Sequence, residues 1–317
     1  MIYRTKVIVL SVITGALALV YAALLVFNPG RMTTRSAYYT WLDAKIASEA
    51  ERIALSSSGD PVNLVKQDGA WFVETGAELY PAKAARVEEL LAALSDRGLF
   101  PVRAASAAAR DRLGLGDNAE KRIVVSRASG TALIDLIVGD YDAAGLEVYY
   151  RRMGRDEARS GSAAIFQFLN YARASWYDLR FFPEEIPVNR IDRVTAISPA
   201  GETVVFLQEE TGWRVDSFDP AVTDTAKVES YIRGIISAEG DDFTAHGGDD
   251  FTAGRVLVET EGRTLFVRLG GELPVENEEQ PARRRLRTSA ADSRTLAVSS
   301  WTADRLFRDA ASFLKTE

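Results

Sequence analysis

The residues of this sequence that could carry chemistry are concentrated in one acidic segment. Two similar six-residue blocks, Gly240 to Ala245 and Gly248 to Ala253, flank the only histidine, His246. Each block contributes a pair of carboxylates, and the resulting set is Asp241, Asp242, Asp249 and Asp250. Such a set could gather around Ca²⁺, which prefers about six to eight oxygen ligands on flexible loops.

The spacing of these carboxylates matches neither an EF-hand loop nor the nonapeptide calcium repeat. The alternative is a solvated acidic loop whose phenylalanines pack underneath. Because a Gly/Asp-rich loop holds an imidazole poorly, we do not expect His246 to act as a general base. Metal binding at this loop therefore stays a weak hypothesis, and no metal site is predicted with certainty.

A basic run forms the second chemical feature. Its residues are Arg283, Arg284, Arg285 and Arg287. If this run is an edge strand, the arginines protect against edge-to-edge aggregation and need no ligand. Alternatively, they form a partner-binding strip for an acidic protein or anionic glycan, to which arginine makes bidentate contacts.

Signatures of catalysis are missing elsewhere. Gly114-Leu115-Gly116 superficially resembles a dinucleotide fingerprint, but it follows a polar Ala/Arg stretch instead of a buried strand. The sequence has no Walker loop, no His-Glu-x-x-His and no Gly-x-Ser-x-Gly. Glu184 and Glu185 are adjacent, so in an extended chain they point opposite ways and cannot flank one bond. We therefore predict that the protein is not an enzyme and needs no cofactor.

Composition narrows the class of protein further. The 317 residues include no cysteine and carry a formal net charge of −7. Without cysteine there can be no disulfide framework, thiolate zinc site or iron–sulfur cluster. The acidic balance argues against nucleic acid, which requires clustered Lys and Arg. The length suggests two domains.

An apolar run begins at Val7 and ends at Phe27, with no charged residue between them. As a helix, about 21 residues cover roughly 31 Å, enough to cross a bilayer. The run is too long for a signal-peptide core and lacks a small-x-small cleavage site. We therefore predict a transmembrane anchor within residues 1–30, a juxtamembrane stalk over 31–50, and a single-pass protein of the bacterial inner membrane. Basic residues flank both ends, so the extracytoplasmic placement of the remaining chain is a weak preference.

Aromatic residues follow the predicted anchor closely. Tyr38, Tyr39 and Trp41 could form an aromatic belt at the membrane surface. They could equally pack on the first domain.

An internal repeat predicts the architecture of the remaining chain. The segments 53–55, 62–66 and 69–73 recur with the same spacing at 195–197, 203–208 and 211–215, which aligns Trp71 with Trp213. Each copy then has a helix-period stretch, about four strands with Gly-containing turns, and a closing helix. In this alignment Ala164 to Phe168 matches Thr295 to Ser299.

This pattern predicts an α+β fold used twice, in which each copy combines an antiparallel sheet with helices. The predicted boundaries are 51–182 for the first repeat, 183–190 for a stiff linker and 191–317 for the second repeat. We expect both tryptophans to pack in the cores.

Several short motifs occur in an order that resembles a known family. They are Lys66 to Val73 (KQDGAWFV), Tyr80-Pro81-Ala82, Leu113-Gly114-Leu115, Ile137 to Asp140 (IVGD) and Val148 to Arg152 (VYYRR). Together with the predicted N-terminal span, this order resembles bacterial domain of unknown function family 4340 over nearly the whole chain after the anchor. In the second repeat the tyrosine pair is replaced by arginines.

The resemblance implies a role beside other proteins. Members of this kind are commonly encoded next to gliding-motility-type ABC transporter components: an ATPase, a permease and a large extracytoplasmic subunit. It implies a non-catalytic accessory subunit of an ABC-2-type complex and supplies no catalytic residues. The alternative is a cell-envelope module that binds glycan or peptide through the arginine strip or a cleft between the repeats.

Overall fold

The computed structural model describes Thr14, Leu17 and residues 38–182, 186–244, 250–274, 281–290 and 294–315. Contacts divide the chain into two compact units, residues 1–176 and 177–317. Within the described residues, no helix is both long and apolar enough to cross a membrane. Apart from two positions, the predicted anchor at 7–27 lies outside the described residues.

The first unit is built on a nine-stranded antiparallel sheet. Its chain forms β1 (Tyr38–Tyr39), β2 (Arg52–Ser56), β3 (Val62–Gln67), β4 (Ala70–Thr75), β5 (Glu78–Pro81), β6 (Gly98–Leu99), β7 (Val102–Ala104), β8 (Arg122–Ser126), β9 (Ala132–Tyr141), β10 (Val148–Arg152) and β11 (Ala158–Gly161). The sheet order is β5-β4-β3-β2-β8-β9-β10-β11-β7, and β1 pairs separately with β6. The helices are α1 (Ala44–Ala47), α2 (Ala84–Ser95) and α3 (Ala107–Arg112), with 3-10 turns at Phe166–Asn170 and Arg173–Trp176.

The second unit is built on an eight-stranded antiparallel sheet. Its strands are β12 (Ile191–Ile197), β13 (Thr203–Glu209), β14 (Gly212–Val215), β15 (Asp242–Thr244), β16 (Gly254–Thr260), β17 (Arg263–Glu272), β18 (Arg283–Thr288) and β19 (Thr295–Ser299). The order is β14-β13-β12-β16-β17-β18-β19-β15. The helices are α4 (Thr225–Ile236) and α5 (Ser300–Arg305), with 3-10 turns at Val188–Arg190 and Ala310–Phe313.

Tight turns set the strand pairing in both units. Asp68 and Gly69 connect β3 to β4 with φ of 50° and 84°, and Glu261 and Gly262 connect β16 to β17 with φ of 47° and 77°. Two successive residues with positive φ suit the right-handed twist of a two-residue hairpin. The two sheets also share one strand order, and β5 is the additional strand of the first sheet.

Each sheet buries one face under a twelve-residue amphipathic helix. In α2 the buried side chains are Val87, Leu90 and Leu94, at helical spacing. In α4 they are Val228, Tyr231, Ile232 and Ile235. Trp71 and Trp213 are both buried, as expected for core residues.

The predicted fold class, α+β, is wrong, and the transmembrane helix predicted with it has no counterpart among the described residues. The protein is mostly β-sheet, with 41% strand, 22% helix and five short α-helices among the described residues. The closing helix predicted before Phe182 is a pair of 3-10 turns. The match of Ala164 to Phe168 with Thr295–Ser299 is also wrong, because β19 occupies the sheet position of β11. Short apolar runs fit either period, so spacing overestimated helix here.

Candidate functional site

The arginine run forms β18, which lies inside the second sheet. Its neighbours are β17 and β19, and β15 continues the sheet beyond β19. The edge-strand interpretation is therefore wrong. β15 comes from residues 242–244, far earlier in the chain, so a local sequence pattern could not place it beyond β19.

Alternation along β18 separates the arginines onto two faces. Leu286 and Thr288 are buried on the core side. Arg283, Arg285 and Arg287 therefore lie on the opposite face. They are joined there by Arg268 of β17, which pairs directly with Arg287. We call these four residues, Arg268, Arg283, Arg285 and Arg287, the arginine face.

A buried phenylalanine supports the arginine face. The ring of Phe251 lies 4.3 Å from Cζ of Arg287 and 6.0 Å from Cζ of Arg285, measured to the ring centroid. Gly270 of β17 makes this approach possible, because a Cβ there would lie 3.1 Å from Phe251 Cδ1 and 3.2 Å from Arg285 Cβ. Cations over an aromatic face are attracted by its quadrupole. The ring thus holds two guanidinium groups in place.

Three of the four arginines of β18 have a buried donor atom that lacks an acceptor among the described residues. Nε of Arg284, Arg285 and Arg287 is buried and has no hydrogen-bond partner. Among the described residues, the ion pairs of the second unit do not involve the arginine face. A buried N–H without an acceptor costs free energy, so these arginines are not held in place by hydrogen bonds from Nε.

The charge of Arg285 contributes to the pKa of one carboxylate, that of Asp250. The pKa of Asp250 lies below its usual value, chiefly because its carboxylate accepts hydrogen bonds from the hydroxyl and N–H of Thr252. Burial acts in the opposite direction and raises this pKa, and the charge of Arg285 lowers it by a smaller amount. Asp250 forms no ion pair with Arg285 in the described structure.

The first unit contains an arginine at the equivalent sheet position. In the first sheet Arg151 of β10 pairs with Ile137 of β9, which lies two residues before Gly139. In the second sheet Arg287 of β18 pairs with Arg268 of β17, which lies two residues before Gly270. Gly139 likewise faces a packed loop, at Leu113 and Leu115. We therefore compare Arg151 with Arg287 directly.

Arg151 differs from Arg287 in having every donor group satisfied within its own unit. It is 1% exposed, and its Nε donates to the carbonyl of Leu115 at 2.8 Å. Its Nη1 donates to the carbonyl of Arg155 at 3.1 Å, and Nη2 to Oδ1 of Asp117 at 2.5 Å. The hydrogen bond and charge of Arg151 lower the pKa of Asp117. The second unit keeps the arginine, but among its described residues no carboxylate forms an ion pair with Arg287.

Chemically, the arginine face is suited to binding. A guanidinium group stays protonated in proteins and has no acceptor atom, so it cannot serve as a general base. Its planar fork matches carboxylate and phosphate oxygens in bidentate geometry. The site can therefore recognise an anion.

The acidic candidates do not form a comparable site. Asp241 accepts a hydrogen bond from the backbone N–H of Ser299, and Asp242 accepts one from Phe243 at 2.8 Å. Asp249 and His246 lie outside the described residues. Among the residues that are described, no group of three His, Cys, Asp or Glu side chains could hold a metal ion. Metal binding by the whole loop remains a prediction.

A groove on the second unit was missed by sequence reasoning. It has a volume of about 680 Å³ and lies along α4 and α5, with Trp301, Arg305 and Arg308 in its wall. Trp301 is 67% exposed, and Cζ of Arg305 lies 4.6 Å from its ring centroid. The available signal was the Trp-x-x-x-Arg spacing, which places both side chains on one face of a helix.

The motifs shared with the family have structural roles in the first unit. Gly114 adopts φ of 70°, and the N–H of Asp140 donates to the carbonyl of Leu113 at 3.2 Å. Leu115 is fully buried against the sheet face that carries Arg151. These residues seal the outer face of the sheet.

Comparison with known proteins identifies the family. No curated protein and no solved structure matches this chain. The model of a domain of unknown function, DUF4340, matches residues 71–254, which is more than half of the 317 residues. The family expected from the motifs is thereby confirmed over these residues, and the chain belongs to the DUF4340 family.

Proposed function

We propose that this protein is a non-catalytic accessory subunit of an ABC-2-type, gliding-motility-like transport complex at the extracytoplasmic side of the bacterial inner membrane. Its arginine face docks an acidic segment of a partner subunit. The observation that carries the proposal is the difference between Arg287, whose buried Nε has no acceptor among the described residues, and Arg151, whose three nitrogens each donate to one.

Charge and rigidity favour a protein partner with acidic side chains. The guanidinium groups project from adjacent interior strands, so their spacing is fixed by the sheet. Phe251 restricts two of them further. A surface with its cations already positioned loses little side-chain entropy on binding. Carboxylates of a partner would accept hydrogen bonds from the arginine face, as Asp117 accepts one from Arg151 in the first unit.

Family membership fits an accessory role. The resemblance in motifs implies a position beside a permease, an ATPase and a large extracytoplasmic subunit. Such a protein has to contact its complex without performing the chemistry of transport. The arginine face could make that contact by binding carboxylates of another subunit.

Zero-length crosslinking in cells tests the proposal. In an Arg285→Lys variant of the full chain, carbodiimide joins the introduced amine to any carboxylate in direct contact. We expect position 285 to become linked to an Asp or Glu of a permease or extracytoplasmic transporter subunit. An Arg233→Lys variant is the matched control, because Arg233 is exposed on α4 and already pairs with Glu229. A transporter subunit linked equally well at 233, or none linked at 285, contradicts the proposal.

A second candidate function is a glycan- or peptide-binding module of the cell envelope. The groove beside Trp301 favours it, because an exposed indole with adjacent cations suits a flat, partly polar ligand. Titration of soluble cell-wall fragments against the full chain and a Trp301→Ala variant tests this alternative. Two results together would favour this function over the accessory role: saturable binding that Trp301→Ala loses, and no crosslink from position 285 to a transporter subunit.

A further inference from the structure

A polar cavity in the first unit lies away from the sites described so far. Its volume is about 400 Å³, and its wall contains Tyr39, Trp41, Arg152, Arg155 and Arg159, with Gly154, Asp156 and Glu157. Its charges and unpaired donors point to a ligand.

The charges in this wall do not cancel. Asp156 is engaged by Arg110 at 2.6 Å, and Glu157 by Arg159 at 2.8 Å. Within the described part of the chain, Arg152 and Arg155 form no ion pair with a carboxylate. The cavity thus presents positive charge beyond what its own acids neutralise.

Two buried donors in the wall lack acceptors. Trp41 is 1% exposed, yet its Nε1 has no hydrogen-bond partner. Arg152 donates to the carbonyl of Trp41, but its Nε is buried and unpaired. The indole has little freedom to turn, because Tyr39 and Phe100 pack edge-on at 4.9 and 5.4 Å between centroids. Indole N–H is a donor only, so its partner has to be an acceptor.

We propose that this cavity binds the phosphate group of a ligand. A phosphate offers oxygens in several directions, which suits a cavity whose wall contains an indole, the half-buried Arg152 and the exposed Arg155. Arg152 and Arg155 provide the compensating charge. The phosphate comes from an anionic lipid headgroup or is free inorganic phosphate. Two residues of the cavity wall, Tyr39 and Trp41, follow the apolar run at 7–27 closely in the chain. This proximity in sequence favours the lipid source.

Calorimetric titration of the full chain in a neutral detergent tests the site. The probes are inorganic phosphate and a short-chain phosphatidylglycerol. We expect saturable binding that Arg155→Gln weakens about tenfold, the loss of roughly one charge-assisted hydrogen bond. Trp41→Phe should also weaken it, because it removes the indole N–H while leaving one aromatic ring in the core. Arg112→Gln is the control, because Arg112 is an exposed arginine of α3 outside the cavity.

The outcomes separate the two sources. Tighter binding of phosphatidylglycerol than of phosphate identifies a lipid headgroup, and the reverse order identifies free phosphate. Binding of neither probe overturns the proposal, as does an equal loss in Arg112→Gln, which indicates nonspecific attraction. If Trp41→Phe fails to fold, the exposed Arg155 still provides the test. None of these results depends on the crosslinks expected at position 285.

Discussion

Replacing Arg151 by methionine should destabilise its sheet strongly, whereas replacing the equivalent Arg287 should change the stability of its sheet little. Arg151→Met removes the donors to two backbone carbonyls, each costing about 1–3 kcal/mol when left unpaired, so we expect a loss of about 4 kcal/mol. The exposed Asp117 is left out of this sum. Arg287→Met loses only its contact with Phe251, worth about 0.5–1 kcal/mol, and also removes an unpaired buried N–H. Its net effect should stay within about 1 kcal/mol.

Hydrogen–deuterium exchange of the full chain can measure both effects separately. Exchange in each sheet reports the free energy of opening that sheet, so two-state unfolding of the whole chain is not required. A loss of about 4 kcal/mol corresponds to roughly thousandfold faster exchange in β10 of Arg151→Met. In Arg287→Met, exchange in β18 should change less than about tenfold. Equal acceleration in both variants would mean that Arg287 has internal partners, and would refute the comparison.

Three further predictions concern single groups. Gly139→Ala should destabilise the first unit by about 3 kcal/mol in urea unfolding, because its Cβ would overlap the carbonyl oxygen of Leu113. The pKa of Asp250 is lowered in the folded protein, so the stability it contributes is present above its unfolded pKa and lost as pH falls through the folded pKa. Carboxyl NMR titration should show that pKa rising in Thr252→Val. Tyr231→Phe should cost about 1 kcal/mol, because its hydroxyl donates to a backbone carbonyl at 2.6 Å, and burial should keep the phenol protonated in an alkaline absorbance titration.

Local features of the fold could be predicted from the sequence. The turns at Asp68-Gly69 and Glu261-Gly262 signal hairpins, since few other residues accept positive φ. The spacing of Val87, Leu90 and Leu94 marks α2 correctly. Comparing the repeat with itself aligned Trp71 with Trp213, and both are buried after a tight turn.

Features set by distant contacts could not be predicted. The fold class was wrong because short segments such as 166–176 fit a helical period yet form only 3-10 turns. β18 is an interior strand because β17 and β19 pair with it on its two sides, and β15 covers the far side of β19 from a distant part of the chain. The sequence does show four arginines on one strand, but not that they lie inside a sheet over Phe251.

Trp41 illustrates the same limit. Its position after the apolar run is compatible with a membrane-surface belt or with packing. In the structure it is buried between Tyr39, Phe100 and Tyr150. The packing interpretation is therefore right for Trp41, while Tyr38 remains about half exposed.

Direct binding of an acidic peptide to the arginine face tests the central claim most directly. The assay titrates a fluorescent peptide rich in Asp and Glu with the full chain, with the Arg285→Gln/Arg287→Gln double variant, and with Arg233→Gln as the control for losing an exposed arginine elsewhere on the second unit. We predict saturable binding that weakens at least about tenfold in the double variant and stays unchanged in the control. Equal affinity for all three proteins would contradict the claim that the arginine face recognises an acidic partner.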